Sequence, residues 1–379
     1  MSNSIRTWLT KSVKVLVTIA FLVSAFALAG GSASAKGESR AVYTLTNAAA
    51  SNAVAVFNRA SDGTLTPSGT VPTGGLGTGA GLGSQGALAL SDNGRWLFAV
   101  NAGSNDVSVL NTSGYNLTLV DRVPSGGVRP ISLTVNGDVL YVLNAGTPNN
   151  ITGFKIGHLG TLSQIPGSTR PLSGADVGPA QVEFSDNGRL LVVTEKGTNK
   201  IDTYTVSRSG LATGPNVQNS AGMTPFGFEF DKRDHLIVSE AFGGAANASA
   251  ASSYSLNNAG VLTTISASSP THQTAACWVA ISKDGKYAYT TNAGSGSVTG
   301  YRIGHDGSLT LLDPDGVTAL IGAGSSPIDA TVSNDGRFLY VLTAGSHEIA
   351  GFEIEQDGSL TPTGNVGGLL PGTIGLAAR

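Results

Sequence analysis

The sequence predicts an all-β chain folded as a seven-bladed β-propeller, with four-stranded antiparallel blades and a ring closed by the C-terminal strand. Three observations carry the prediction. First, an apolar run that ends in a polar residue and a Gly-rich turn occurs seven times, ending at Asn47, Asn101, Asn144, Glu195, Glu240, Asn292 and Thr343. The intervals are 54, 43, 51, 45, 52 and 51 residues, a period at which strand-built units must stack to bury their faces. Second, turn signals such as SDNGR and SKDGK separate the strand-like runs and supply the positive φ of tight hairpins. Third, runs such as WLFAV and LLVVT are continuously apolar, which suits strands covered on both faces. A β-sandwich would not explain a sevenfold period.

Each element follows from the same reading. Arg6, Lys11 and Lys14 precede an apolar stretch, Val15 to Leu28, and Ala33-Ser34-Ala35 is a small-residue cleavage signal. This is the pattern of a secretory signal peptide over 1–35, too short in its apolar part for a membrane span. No Cys follows Leu28-Ala29-Gly30, so no lipid anchor is expected. The remaining 36–379 reads as one exported domain, secreted or periplasmic and monomeric. Within each unit a first strand such as QVEF leads through an Asn-Gly or Asp-Gly turn to the phrase strand. A third strand follows (VTGYRI 298–303, IAGFEI 349–354, ITGFKI 151–156, IDTYTV 201–206), then a short fourth after turns such as HDGSLT. The first unit lacks a first strand, and the C-terminal PGTIGLAA resembles the missing piece. That strand is expected to complete blade one.

Charge narrows the function. The chain carries 22 Lys+Arg and 25 Asp+Glu, and removing 1–35 takes away three basic residues, leaving a net charge of −6. No basic cluster appears, so nucleic acid and anionic membrane surfaces are poor partners. The single cysteine, Cys277, lies in the apolar run ACWVAI and reads as a buried free thiol. No spacing suggests zinc, DPDG at 313–316 reads as a turn, and no cofactor is expected. Whether a metal ion occupies the central channel stays open.

In a four-stranded meander, the start of strand one and the end of strand two share an edge. The seven phrase ends therefore lie on one rim, with the long loops Thr73 to Gly86 and Phe242 to Ser253. Such loops are where binding usually resides; the alternative is mobile surface. The four Asn ends read as turn residues. Glu195 and Glu240 break the pattern and sit on neighbouring blades, close enough to face one pocket where one acts as general base. The structural alternative is a pair of solvated loop acids. His272, in the loop entering blade six, is the histidine nearest the Glu240 sector, or else a solvated side chain. Arg129, Gln181, Lys196, Asp329 and His347 share the rim.

YVLNAG, SDNGR and the DGSLTP turns resemble the seven-bladed propeller lactonases, which include 6-phosphogluconolactonase-like and fungal muconate-lactonizing enzymes; related YVTN-type repeats occur in non-enzymatic surface proteins. The resemblance runs through 41–378. It implies an acidic residue in a YVxNE phrase, whose counterpart is Glu240 in LIVSE. The family's Arg-His pair falls on Thr224-Pro225, and its PHxHQV segment on Val177 to Val182. There Gln181 and Val182 match, while Gly178 and Ala180 replace both histidines. Two expectations result. One is a lactonase-like hydrolase for a neutral or sugar-derived lactone, with Glu240 as base, Glu195 or His272 assisting, Lys196 or Arg129 steadying the oxyanion, and Gln181 binding substrate. The other is a non-catalytic module binding a protein or glycan through the same rim.

Overall fold

The chain forms seven sheets, each opening with a strand next to a central axis and ending with one at the outside. The computed structural model describes residues 40–113 and 117–379, which lie in one unit, Ser39–Arg379. The proposed signal peptide lies outside the described residues. Blade four shows the pattern: Pro179–Phe184 innermost, then Leu190–Glu195, Lys200–Val206 and Ala212–Asn219, each antiparallel to the last. In blades three and six the outer strand is broken in two, and DPDG forms the turn within the break in blade six. Beyond strands the described residues hold one 3-10 turn, Phe242–Gly244.

Blade one confirms the clasp. Ile374–Ala378 pairs antiparallel with Ala41–Leu45 and supplies the innermost strand. Thr44 Oγ1 donates to Gly375 O at 2.7 Å across the joint. The ring thus closes through hydrogen bonds between the two ends of the described chain.

The second strands are buried along their whole length in all seven blades, as their unbroken apolar sequence requires. Neighbouring blades are fastened by a repeated strut: the hydroxyls of Tyr141, Tyr289 and Tyr340 donate to the backbone oxygens of Gly210, Gly358 and Gly63, each in the next blade. Gly63 and Gly358 take positive φ at these turns. A Cβ on Gly63 would enter the Phe338 ring, and one on Gly358 the Tyr287 ring. Only glycine fits there. Cys277 is buried and free, and its apolar surroundings push its thiol up to about 12.

Candidate active site

The rim expected to hold the site is occupied by the protein itself. Residues 83–86 of the Gly-rich loop leave the surface and cross the axis. Ser84 Oγ donates to Ile131 O in blade three at 2.8 Å, and Gln85 N to Ala180 O in blade four at 3.2 Å. Gln85 Nε2 donates to Val279 O in blade six at 2.7 Å, and Val279 N donates back to Gln85 Oε1. Trp278 Nε1 donates to Ser84 O. Gly227 makes the crossing possible, because a Cβ there would strike Gln85 Oε1. Behind this plug lies an apolar cluster of Ala180, Phe226, Ala241, Cys277 and Trp278. Ala180 stands where the lactonase resemblance places a histidine.

The proposed catalytic residues of the rim have other occupations. Glu195 and Glu240 are not solvated, as one expectation had it; both are fully buried. Glu240 accepts from Gly222 N at 2.8 Å, Ser252 Oγ and Ser268 Oγ at 2.7 Å. Burial raises its pKa and these bonds oppose the rise. Glu195 accepts from Ser173 N, Ser173 Oγ and Thr198 Oγ1. Ser173 N also donates to Asp202, whose pKa burial and Glu195 push up to about 8. The two glutamates share no partner, so they form two separate clusters rather than one pocket.

The remaining rim residues divide similarly. Lys196 Nζ donates to Gly83 O at 2.7 Å and Pro179 O at 2.9 Å, and lies 5.0 Å from the Phe226 ring centroid. Burial, helped by the Arg129 charge, lowers its pKa to about 8. Arg129 itself is exposed, with φ +55°. Gln181 is buried, exchanging two hydrogen bonds with the Phe228 backbone of the next blade. His272 is exposed at φ +56°. The structure therefore brings Lys196 and Arg129 together, and leaves His272 alone at the surface. The loop expected over 242–253 is shorter than expected, since Ala250–Leu256 is strand.

Beyond the plug the axial channel opens into a cavity of about 260 Å³ to which all seven blades contribute. Side chains alternate along a strand, so each innermost strand presents every second residue to the axis. Gln181 and Glu183 share that face in blade four, Gly227 and Glu229 in blade five, Asp329 and Thr331 in blade seven. Glu183 and Glu229 are both half-buried in the wall. Glu183 accepts from Gln181 Nε2 at 2.7 Å, and Glu229 from Ile281 N at 2.6 Å. Burial, then the charge of Glu229, holds the Glu183 carboxyl well above the usual range. Burial pushes Glu229 up to about 7 against the pull of the Lys283 ammonium. Lys283 is exposed and lines both this cavity and a groove of about 560 Å³ beside it. Asp329 lies in the cavity wall as well. Among the described residues no group of three His, Cys, Asp or Glu is placed to hold a metal ion.

Of this cavity the sequence reading named Asp329 and Gln181, and missed Glu183, Glu229 and Lys283. A signal was present: QVEF and GFEF each place an acid two residues beyond the position that opens towards the axis. Acids in a first strand otherwise read as solvated ends.

Residues 36–170 match the family model described as lactonase, 7-bladed beta-propeller. No curated protein matches the chain. Among solved structures, a 6-phosphogluconolactonase candidate from Bacteroides fragilis has 20% identity and a TM-score of 0.69, over 91% of this chain and 99% of that one. A Lactobacillus plantarum protein has 18% identity and a TM-score of 0.71, over 90% and 99%. A periplasmic gluconolactonase from Pseudomonas aeruginosa has 16% identity and a TM-score of 0.67, over 89% and 99%. At these identities the structural likeness speaks for the fold. The sevenfold ring closed by its last strand makes the chain a seven-bladed β-propeller, and its first blades are similar in sequence to the lactonase family.

Proposed function

We propose that the protein hydrolyses an uncharged, sugar-derived lactone in the axial cavity, and that Glu229 and Glu183 carry the chemistry there. One observation carries the reading: two carboxyls from adjacent blades share a cavity, where burial raises Glu229 to about 7 and holds Glu183 well above the usual carboxylate range. Such a pair supplies an acid and a base together. Glu229 takes a proton from water as its oxygen attacks the lactone carbonyl. Lys283, the cation of the cavity lining, steadies the developing oxyanion. As the ring C–O bond breaks, Glu183 gives its proton to the leaving oxygen, and the product is the open hydroxy acid. The proton on Glu229 then passes to Glu183, so the site is restored without a cofactor.

The cavity also supports the choice of substrate. Lys283 is the one cation of its lining and Glu229 balances it once ionised, so no spare positive charge is left to hold a phosphorylated or carboxylated lactone. Export fits this reading, supported by the signal-like 1–35 and by the periplasmic gluconolactonase among the similar structures. The test is the pH dependence of lactone hydrolysis. Because the base works ionised, kcat/KM is expected to rise as pH climbs through about 7, then to fall where the pair loses its second proton. A profile flat from pH 5 to 9, measured by titration of released acid, contradicts the assignment.

A second reading has its own support. Leu76, Val128, Met223 and Leu370 are each 42% or more exposed and occupy four different inter-blade connections on the plugged rim, and the exposed Leu320 ends the outer strand of blade six. Apolar residues so arranged suit a non-catalytic contact with a protein or glycan, and this contact is compatible with a cavity that opens on the other face.

A further inference from the structure

Asp329 is the most deeply buried acid of the cavity lining, at 2% exposure. It stands third in its innermost strand, just past the bulge that follows Pro327, and opposes Leu342. Gln181 occupies the same place in blade four, opposing Thr194. Asp329 therefore lies level with Gln181 and the plug, at the closed end, while Glu183 and Glu229 lie one layer nearer the mouth. The polar groups around it are already committed. Gln181 is bonded to Phe228 and Glu183, and Gln85 to Val279. Asp329 Oδ1 accepts from Ala330 N at 2.8 Å. Its Oδ2 is buried and has no hydrogen-bond partner.

A buried polar atom without a partner costs free energy, and a cost of that kind at the end of a cavity is recovered when a ligand supplies the partner. No lysine or arginine lines the closed end, so an ionised carboxylate there would stand uncompensated. Burial holds the Asp329 carboxyl well above the usual carboxylate range, against the pull of the Ala330 and Leu376 amides. A carboxylic acid that keeps its proton in an apolar site is a strong hydrogen-bond donor.

We propose that Asp329 is the ligand-binding donor at the closed end of the cavity, a neutral acid whose Oδ2–H bonds a hydroxyl or carbonyl oxygen of an uncharged sugar ring. The inference deepens the lactonase reading by naming the group that seats the substrate, and it stands on binding rather than turnover. At about 260 Å³ the cavity lies near the small end of ligand sites, which run from roughly 300 Å³ upward; it holds one ring and leaves any longer chain to the groove beyond Lys283.

The probe is glucono-1,5-lactam, which keeps the ring and carbonyl and resists hydrolysis, with its 6-phosphate for comparison. In calorimetry the wild type is expected to bind the lactam at least about tenfold more tightly than the phosphate. Asp329→Asn, which keeps a donor, is expected to stay within about threefold of wild type, and Asp329→Leu to weaken binding at least about tenfold. Infrared difference spectra of the wild type are expected to show a protonated-carboxyl band that shifts on adding lactam and is missing from Asp329→Asn; this readout does not depend on whether the leucine variant folds. Lactam affinity unchanged in Asp329→Leu, no shifting band, or no lactam binding at all overturns the inference. Turnover of a lactone with lactam binding indifferent to position 329 leaves the hydrolase reading standing without it. Asp329-dependent binding in a protein that turns over no lactone sinks the hydrolase reading alone.

Discussion

Glu240 illustrates how a position can match a catalytic motif and serve the fold. The corresponding Asn101 donates to Asp106 Oδ1 and Ser108 Oγ and accepts from Asn52 and Thr73. Asn292 likewise donates to Ser297 and Thr299. Asn101 and Asn144 each tie their own third strand to the connection arriving from the blade before. Glu240 does this through Ser252, Ser268 and the Gly222 amide. The Asn ends were legible as structural because Asn at a turn has an obvious local role. The two glutamates were not, because long acidic side chains at loop edges normally point to water, and the serines that surround them are far along the chain. Removing the carboxyl leaves three donors without an acceptor. Glu240→Ala is therefore expected to cost about 3 kcal/mol, read by denaturant unfolding; a change below about 0.5 kcal/mol would show that the cluster is not holding the blade joint.

At the scale of the element, strands were read well and one loop was not. The second strands reveal themselves because two-sided burial demands apolar residues at every position. The stretch 73–86, by contrast, is a Gly-rich loop in sequence, and its small residues suit both mobile surface and passage down a narrow channel. What separates the two is Gln85, whose amide satisfies backbone in blade six, a partner 194 residues away that no local pattern announces. The C-terminal strand was legible from its likeness to the other first strands. It carries the closure of the ring: Ile374, Leu376, Ala377 and Ala378 are buried, and its loss exposes the inner edge of Ala41–Leu45. Deletion of 371–379 is expected to lower the melting temperature by at least about 10 °C, a loss of several kcal/mol. A melt unchanged by the deletion would mean that blade one holds without its innermost strand.

Over the whole molecule, the ring sets where chemistry is possible. Sevenfold repetition brings acids separated by 46 residues, Glu183 and Glu229, to one cavity, and the plug leaves that cavity open towards the face of the first turns, where Lys283 stands. The period made the architecture readable, because a repeat fixes the number of blades and which residues share an edge. It did not reveal which end of the channel is filled, since that depends on a single insertion between blades one and two. The rim bears the motif positions of the lactonase resemblance without its histidines, and the cavity bears the proposed acid and base. One comparison decides between them. Lactone hydrolysis is measured for the wild type, Glu229→Gln and Glu240→Gln, each confirmed as folded by its melting curve. The account predicts a loss of at least about 100-fold in kcat/KM for Glu229→Gln, with turnover retained in Glu240→Gln. Full activity in Glu229→Gln, with activity lost in a folded Glu240→Gln, would return the chemistry to the rim.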